Sequence, residues 1–220
     1  MKPTRILALI ALAALSLPAF AGEEKKESEA WTILFDGKSL DQWTHSNGNP
    51  VTKGWKVEDG VIHRLGGGGS IISKEKFENF VLEFEFKISK KGNSGVKYRF
   101  QKGLGLEYQV LDDGGHRDSG KPNHRVGSLY DLLAAPDSKP VKPAGEWNTG
   151  RIVANGAHLE HWLNGEKVIE IDQTSDDWKT RFAESKYRKS KGFGTGAGHI
   201  QLQDHGNPVW FRNIRIKKLP

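Results

Sequence analysis

Between Phe80 and Ile88 the chain reads FVLEFEFKI, with Leu82, Phe84, Phe86 and Ile88 alternating against Glu83, Glu85 and Lys87. This period of two describes a strand buried on one face; a helix would bring its apolar residues back at every third and fourth position. The pattern recurs. SGVKYRFQ sets Val96, Tyr98 and Phe100 against Lys97, Arg99 and Gln101, and GLEYQVLDD sets Leu106, Tyr108 and Val110 against Glu107, Gln109 and Leu111. HIQLQDHG sets Ile200 and Leu202 against His199, Gln201, Gln203 and His205. Asp59-Gly60, Asn155-Gly156 and Asn164-Gly165 stand between such runs as hairpin turns. Short strands separated by regular turns predict an all-β, two-sheet antiparallel sandwich.

Two segments break the pattern. SDDWKTRFAESKY reads as one short helix, with Ser175 as its N-cap and Trp178 and Phe182 one turn apart. Asp112 to Gly145 is long, polar and interrupted by Gly and Pro. A loop of that length in a compact domain points to function, and its histidines and Tyr130 favour an active-site loop.

Residues 1–22 carry Lys2 and Arg5, an apolar run and Ala19-Phe20-Ala21, the arrangement of a cleaved secretory signal peptide. The run is shorter than the roughly 20 residues of a spanning helix. A charged tail at 23–30 then leads to a domain over 31–220. Without Lys2 and Arg5 the chain retains 31 basic and 27 acidic side chains. Apart from KYRKSK at 186–191 the positive charges are dispersed, so neither nucleic acid nor, after signal cleavage, a membrane is an expected partner. With no cysteine, the core must hold without disulfides and there is no lipid-anchoring cysteine. The expected location is the periplasm or the medium.

The polar strand faces carry the functional reading. If the four strands share a sheet, Glu83, Glu85, Lys97, Arg99, Glu107, Gln109, Gln201, Gln203 and His205 form a plate of multivalent donors and acceptors, suited to sugar hydroxyls. The competing reading is a solvent-facing sheet that is polar for that reason alone. Seven tryptophans supply stacking surfaces or core packing.

At this point GWKVEDGVI, ENFVLEFEFKISKKGNSGVKYRF, LEYQVLDD, GSLYDL, EWNTGRIVANGAHLEHWLNGEKV and GHIQLQDHGNPVWFRNIRIKKL resemble, in order, the blocks of the 3-keto-disaccharide hydrolase domain family. The resemblance runs from about Trp31 to Leu219. It implies a concanavalin A-like jelly roll with the site on its concave sheet, and glycosides already oxidised at C3 as substrates, cleaved by hydrolysis or elimination. The paired-carboxylate Glu-x-Asp-x-x-Glu strand motif of laminarinase-type jelly rolls is absent from EFEFKI and EYQVLD, which disfavours a conventional retaining hydrolase.

A C3 ketone acidifies the C2 proton, so a base can form an enolate that expels the group at C1. Glu107 or His205 is the candidate base. Lys97, Arg99 or a bound cation would stabilise the enolate, and His161, His116 or water would protonate the leaving oxygen. The catalytic set expected is Glu107, His205 and Arg99. Glu85, Lys97, Gln109, Asp112, His116, Tyr130, His161 and Gln203 are expected to bind substrate. Structural alternatives stand beside these: Glu85 as an ion pair with Lys97 or Arg99, His205 as a turn residue, and His161 as a core histidine. No cofactor is assigned; a divalent cation is compatible, with Glu107, Asp112, His116, His205 and also His124 as candidate ligands, although their spacing matches no recognised site. Rival functions are a non-catalytic carbohydrate-binding module and an interaction domain.

Overall fold

The computed structural model describes residues 30–220; the signal peptide read at 1–22 and the tail up to residue 29 lie outside the described residues. Two antiparallel sheets pack face to face, as the alternation predicts. The larger sheet runs in the order β11 (Glu166–Asp172), β10 (His158–Leu163), β9 (Asn148–Asn155), β6 (Phe80–Ile88), β13 (Val209–Lys218), β4 (Val61–Arg64) and β3 (Trp55–Glu58). An eighth strand, β1 (Thr32–Phe35), pairs with β13. The smaller sheet is β2 (Trp43–His45), β5 (Ile71–Phe77), β12 (Gly198–Leu202), β7 (Asn93–Gln101) and β8 (Leu104–Leu111).

The alternating residues make the core. Phe84 and Phe86 from β6 meet Tyr108 from β8 edge-on, at ring distances of 5.3 and 6.2 Å. Val96, Tyr98, Leu106 and Val110 complete the smaller sheet's inner face. Each such side chain taken fully from water stabilises the fold by about 1.5–3 kcal/mol.

The turns follow their chemistry. Asp59 and Gly60 take φ of 51° and 74°, and Asn164 and Gly165 take 48° and 89°, the paired left-handed residues of a type I′ hairpin. The helix α1 (Asp176–Glu184) starts where expected, with Ser175 Oγ accepting from the Trp178 N–H at 3.1 Å. Asp176 and Asp177 in its first turn complement the helix dipole. Trp178 anchors it in the core and stacks with Phe182.

The long loop is ordered by hydrogen bonds to the edge of β8. Gly127 N–H donates to Gln109 O at 2.9 Å, Gln109 N–H to Ser128 O at 3.2 Å, and Tyr130 N–H to Glu107 O at 3.0 Å. The loop thereby satisfies an otherwise open strand edge and lies beside the smaller sheet's outer face.

The shared plate needs one correction. β6 lies between β9 and β13 in the larger sheet, so Glu83, Glu85 and Lys87 face away from the polar residues of β7, β8 and β12. The sequence periodicity assigns each residue to a face but not each strand to a sheet.

Candidate active site

The remaining three strands do form a plate. Antiparallel partners point to the same side of a sheet. Lys97 opposes Glu107, and Gln201 opposes Lys97 from the other side. One row along, Gly95 opposes Gln109 and accepts the Gln203 N–H at 2.9 Å. Asn93, opposite Leu111, begins the third row.

Glu107 is at the centre and only 3% exposed. Its Oε2 lies 3.6 Å from Lys97 Nζ. Burial raises its pKa above the usual carboxylate value, against the opposing pull of Lys97, Lys186 and His205. Gly95 makes room for it: a Cβ there would stand 2.5 Å from Glu107 Oε1.

Tyr130 closes one side. The long loop carries it over the plate, its ring 4.3 Å from that of His124 and 4.1 Å below Lys186 Nζ. Burial, with the negative charges of Glu107, Asp118 and Asp131, pushes its pKa up to about 12, so the phenol stays protonated. Asp131, at φ 63°, ties the two segments together: its Oδ2 accepts the Lys186 N–H at 2.8 Å and its Oδ1 meets His124 Nε2 at 3.2 Å. Lys186 is pulled down by burial and by Lys97, while Glu107 and Asp131 hold it up.

Around this cluster are buried acceptors without partners. Gln109 Oε1, Gln203 Oε1 and Asn93 Oδ1 are all enclosed and unbonded. Each costs free energy until a donor arrives.

His205 is exposed, on a turn held in place by its neighbour: Asp204 pairs with the buried Arg64 at 2.6 Å. His205 lies within electrostatic reach of Glu107. The structure thus brings Glu107, Lys97, Gln109, Gln203, Tyr130 and His205 to one face.

Other sequence candidates lie elsewhere. A bulge between Tyr98 and Gln101 puts Arg99 at φ 46° and turns it off the plate. Its guanidinium is spent on the carbonyls of Glu78, Gly156 and Gly194 at 2.9, 2.9 and 3.0 Å, and on Gln173. Arg99 therefore pins chain segments together at the end of the sandwich and does not reach the plate. His161 lies between the sheets with 0% exposure, bonded to Tyr98 Oη and Gly127 O at 3.0 Å each. Burial lowers its pKa to about 4, the behaviour of a neutral core histidine. Glu85 binds Arg212 at 2.7 Å and Asn213 at 2.6 Å on the larger sheet, rather than Lys97 or Arg99.

Asp112 clamps a turn, accepting from Lys91 N at 2.7 Å and Gly114 N at 3.2 Å. His116 caps a short 3-10 turn by accepting the Asp118 N–H, which leaves it at the plate's margin. The proposed metal ligands Glu107, Asp112, His116 and His205 do not converge. Among the described residues, His158, Glu160 and Glu170 alone bring three such ligand atoms together, on the larger sheet, where Lys167 already bridges the two carboxylates.

Lys186 and Asp131 join the cluster without any sequence pattern that marks them. Lys186 sits in KYRKSK, which reads by itself as a solvated basic run. Asp131 directly follows Tyr130 and was the only local hint.

A jelly-roll sandwich bearing an ionisable, acceptor-rich cluster on one sheet's outer face has the architecture of a carbohydrate-active enzyme. Residues 30–217 match the 3-keto-alpha-glucoside-1,2-lyase-like domain, and the chain belongs to that family. It is 34% identical to a 3-keto-disaccharide hydrolase of Bacteroides thetaiotaomicron, over 88% of this chain and 80% of the relative. The fold is similar to that of a Parabacteroides distasonis protein provisionally termed a glycosyl hydrolase, with TM-score 0.80, 36% identity, and coverage of 90% and 97% of the two chains. A second such protein from the same organism gives 0.69 at 31% identity, covering 86% of this chain and 100% of its own.

Proposed function

We propose that the protein is an exported enzyme that cleaves the glycosidic bond of 3-keto glycosides, with Glu107 moving the C2 proton. The observation that carries this reading is a buried carboxyl of raised pKa, 3.6 Å from Lys97 Nζ and within electrostatic reach of Lys186 and of Tyr130, whose phenol stays protonated. In the proposed sequence Glu107 takes the proton from C2, and the C–H electron pair forms the C2=C3 enolate. Lys97 and Lys186 offset the negative charge on the C3 oxygen. The enolate then collapses, the C1–O bond breaks, and Tyr130 or His205 protonates the departing oxygen. Release at this stage is elimination; addition of water, oxygen to C1 and proton to C2, gives net hydrolysis.

Gln109 Oε1, Gln203 Oε1 and Asn93 Oδ1 would accept hydrogen bonds from hydroxyls of the bound sugar, removing the cost of their unpaired state. The family and the named relative support the 3-keto substrate. The charged, apolar and small-x-small order of residues 1–21 supports export.

The test is incubation of the purified protein with 3-keto-trehalose and a 3-keto β-glucoside, with and without EDTA, followed by NMR. Cleavage that disappears in Glu107→Gln supports the proposal, and loss with EDTA would add a cation to it. Substrate left intact by folded protein under every metal supplement would favour the second reading, a binding module, for which the unpaired amide oxygens alone would suffice.

A further inference from the structure

The seven tryptophans divide unevenly. Trp43, Trp55 and Trp178 are buried, whereas Trp31, Trp147, Trp162 and Trp210 are half-buried. These four interact with cations of the larger sheet's outer face: Arg215 lies over Trp31, Arg212 over Trp147, Arg151 over Trp162 and Lys87 over Trp210. This face is opposite the Glu107 plate, across two sheets about 10 Å apart. The chemistry at Glu107 gives none of the four a task.

A groove of about 810 Å³ runs over this face from β1 and β13 to Trp162 on β10. From β13 to β10 it crosses β6 and β9, three interstrand spacings or about 14 Å, and it extends past β13 to β1. Trp162 forms a fixed aromatic wall, because its Nε1–H donates to Glu160 Oε2 at 2.7 Å. The groove is lined by Asp36, Glu83 and Glu85 and by Arg151 and Arg215, with Arg212 beside it, three carboxylates against three guanidiniums: Glu83 pairs with Arg215 at 2.6 Å and with Arg151 at 3.6 Å, and Glu85 pairs with Arg212 at 2.7 Å.

This balance selects the ligand. Paired charges exert little net field, so the groove does not favour an anion or a cation. A carboxylate still has about four lone-pair positions and a guanidinium five N–H donors, more than these pairs consume. Donors and acceptors close to a rigid aromatic face match a neutral polyhydroxylated chain. A protein partner would call for exposed apolar area. Of the four strongly exposed large apolar side chains among the described residues, Ile33 alone lines the groove.

We infer that this groove is a second carbohydrate-binding site, which holds a neutral glycan chain on the sheet face opposite Glu107. The inference is independent of the proposed catalytic chemistry. It is tested by native electrophoresis through gels containing dextran, laminarin, xyloglucan or amylopectin, with alginate as an anionic control.

Retardation by at least one neutral polymer is expected, equal in wild type and Glu107→Gln, whereas any slowing by alginate reflects the excess of basic side chains and should persist in both groove variants. Trp162→Ala should weaken it at least about tenfold, the loss of an aromatic anchor. Ile33→Arg, at a site 50% exposed, fills the groove without touching the core and should do the same. No retardation by any of the four polymers overturns the inference, as does retardation that both groove variants retain. A concentration-dependent dimer in sedimentation that Ile33→Arg abolishes would assign the groove to a second copy of the chain and overturn it equally.

Discussion

At the scale of single residues, two buried titratable groups pull stability in opposite directions with pH. Glu107 has a folded pKa above its unfolded value, so the fold holds the proton more tightly and loses stability as pH rises through that interval. Glu107→Gln should therefore melt higher than wild type at neutral pH and show less advantage in acid, while turnover falls at least about 100-fold. Thermal melts across pH, beside NMR rate measurements, check both halves. His161 behaves the other way. With a pKa lowered to about 4 from 6.5, its contribution is complete above pH 6.5 and lost as pH falls toward 4. Denaturant titration at pH 7 and 4.5 should show wild type losing about 2 kcal/mol more than His161→Gln from this group. An equal pH slope in both proteins would contradict the assignment.

At the scale of elements, β7 both supports the site and locks the frame. Gly95→Ala would place a methyl where the Glu107 carboxylate rests, and the flexible side chain, rather than the strand, should yield. The expected result is an unchanged melting temperature with turnover reduced about 100-fold, as for an ångström-scale misplacement of a catalytic group. Four residues on, Arg99→Leu should do the reverse. It orphans the carbonyls of Glu78, Gly156 and Gly194 and should cost at least about 3 kcal/mol, while turnover per folded molecule is kept. Chemical denaturation with activity measured on the folded fraction separates the two outcomes.

At the scale of the molecule, β13 integrates the sandwich. It lies between β6 and β4 and also holds β1, so among the described residues the last strand secures the first. Removal of residues 209–220 should abolish the near-ultraviolet circular dichroism of the packed aromatic core, because both flanking strands lose their ladders together. The same topology places the two proposed sites back to back, the Glu107 plate on the smaller sheet and the tryptophan groove on the larger.

Local chemistry was legible in the amino-acid order alone. Period-two alternation determined which side chains enter the core, Asp-Gly and Asn-Gly determined the turns, and Ser175 determined the helix start, since each depends on residues close in sequence. Glu107, Lys97, Gln109, Gln203, Tyr130 and His205 could be named as candidates for the same reason: their polar side chains keep the period of one strand face, past the end of β12 for Gln203 and His205, or stand on the long loop. Tertiary structure alone decided the assignment of β6 to the opposite sheet, the bulge that turns Arg99 away, and the contact that brings Lys186 over Tyr130. These depend on strand order and on segments more than fifty residues apart, such as Asp131 and Lys186. Alternation carries no information about which strand a ladder will choose; that choice is made by the packing of the whole sandwich.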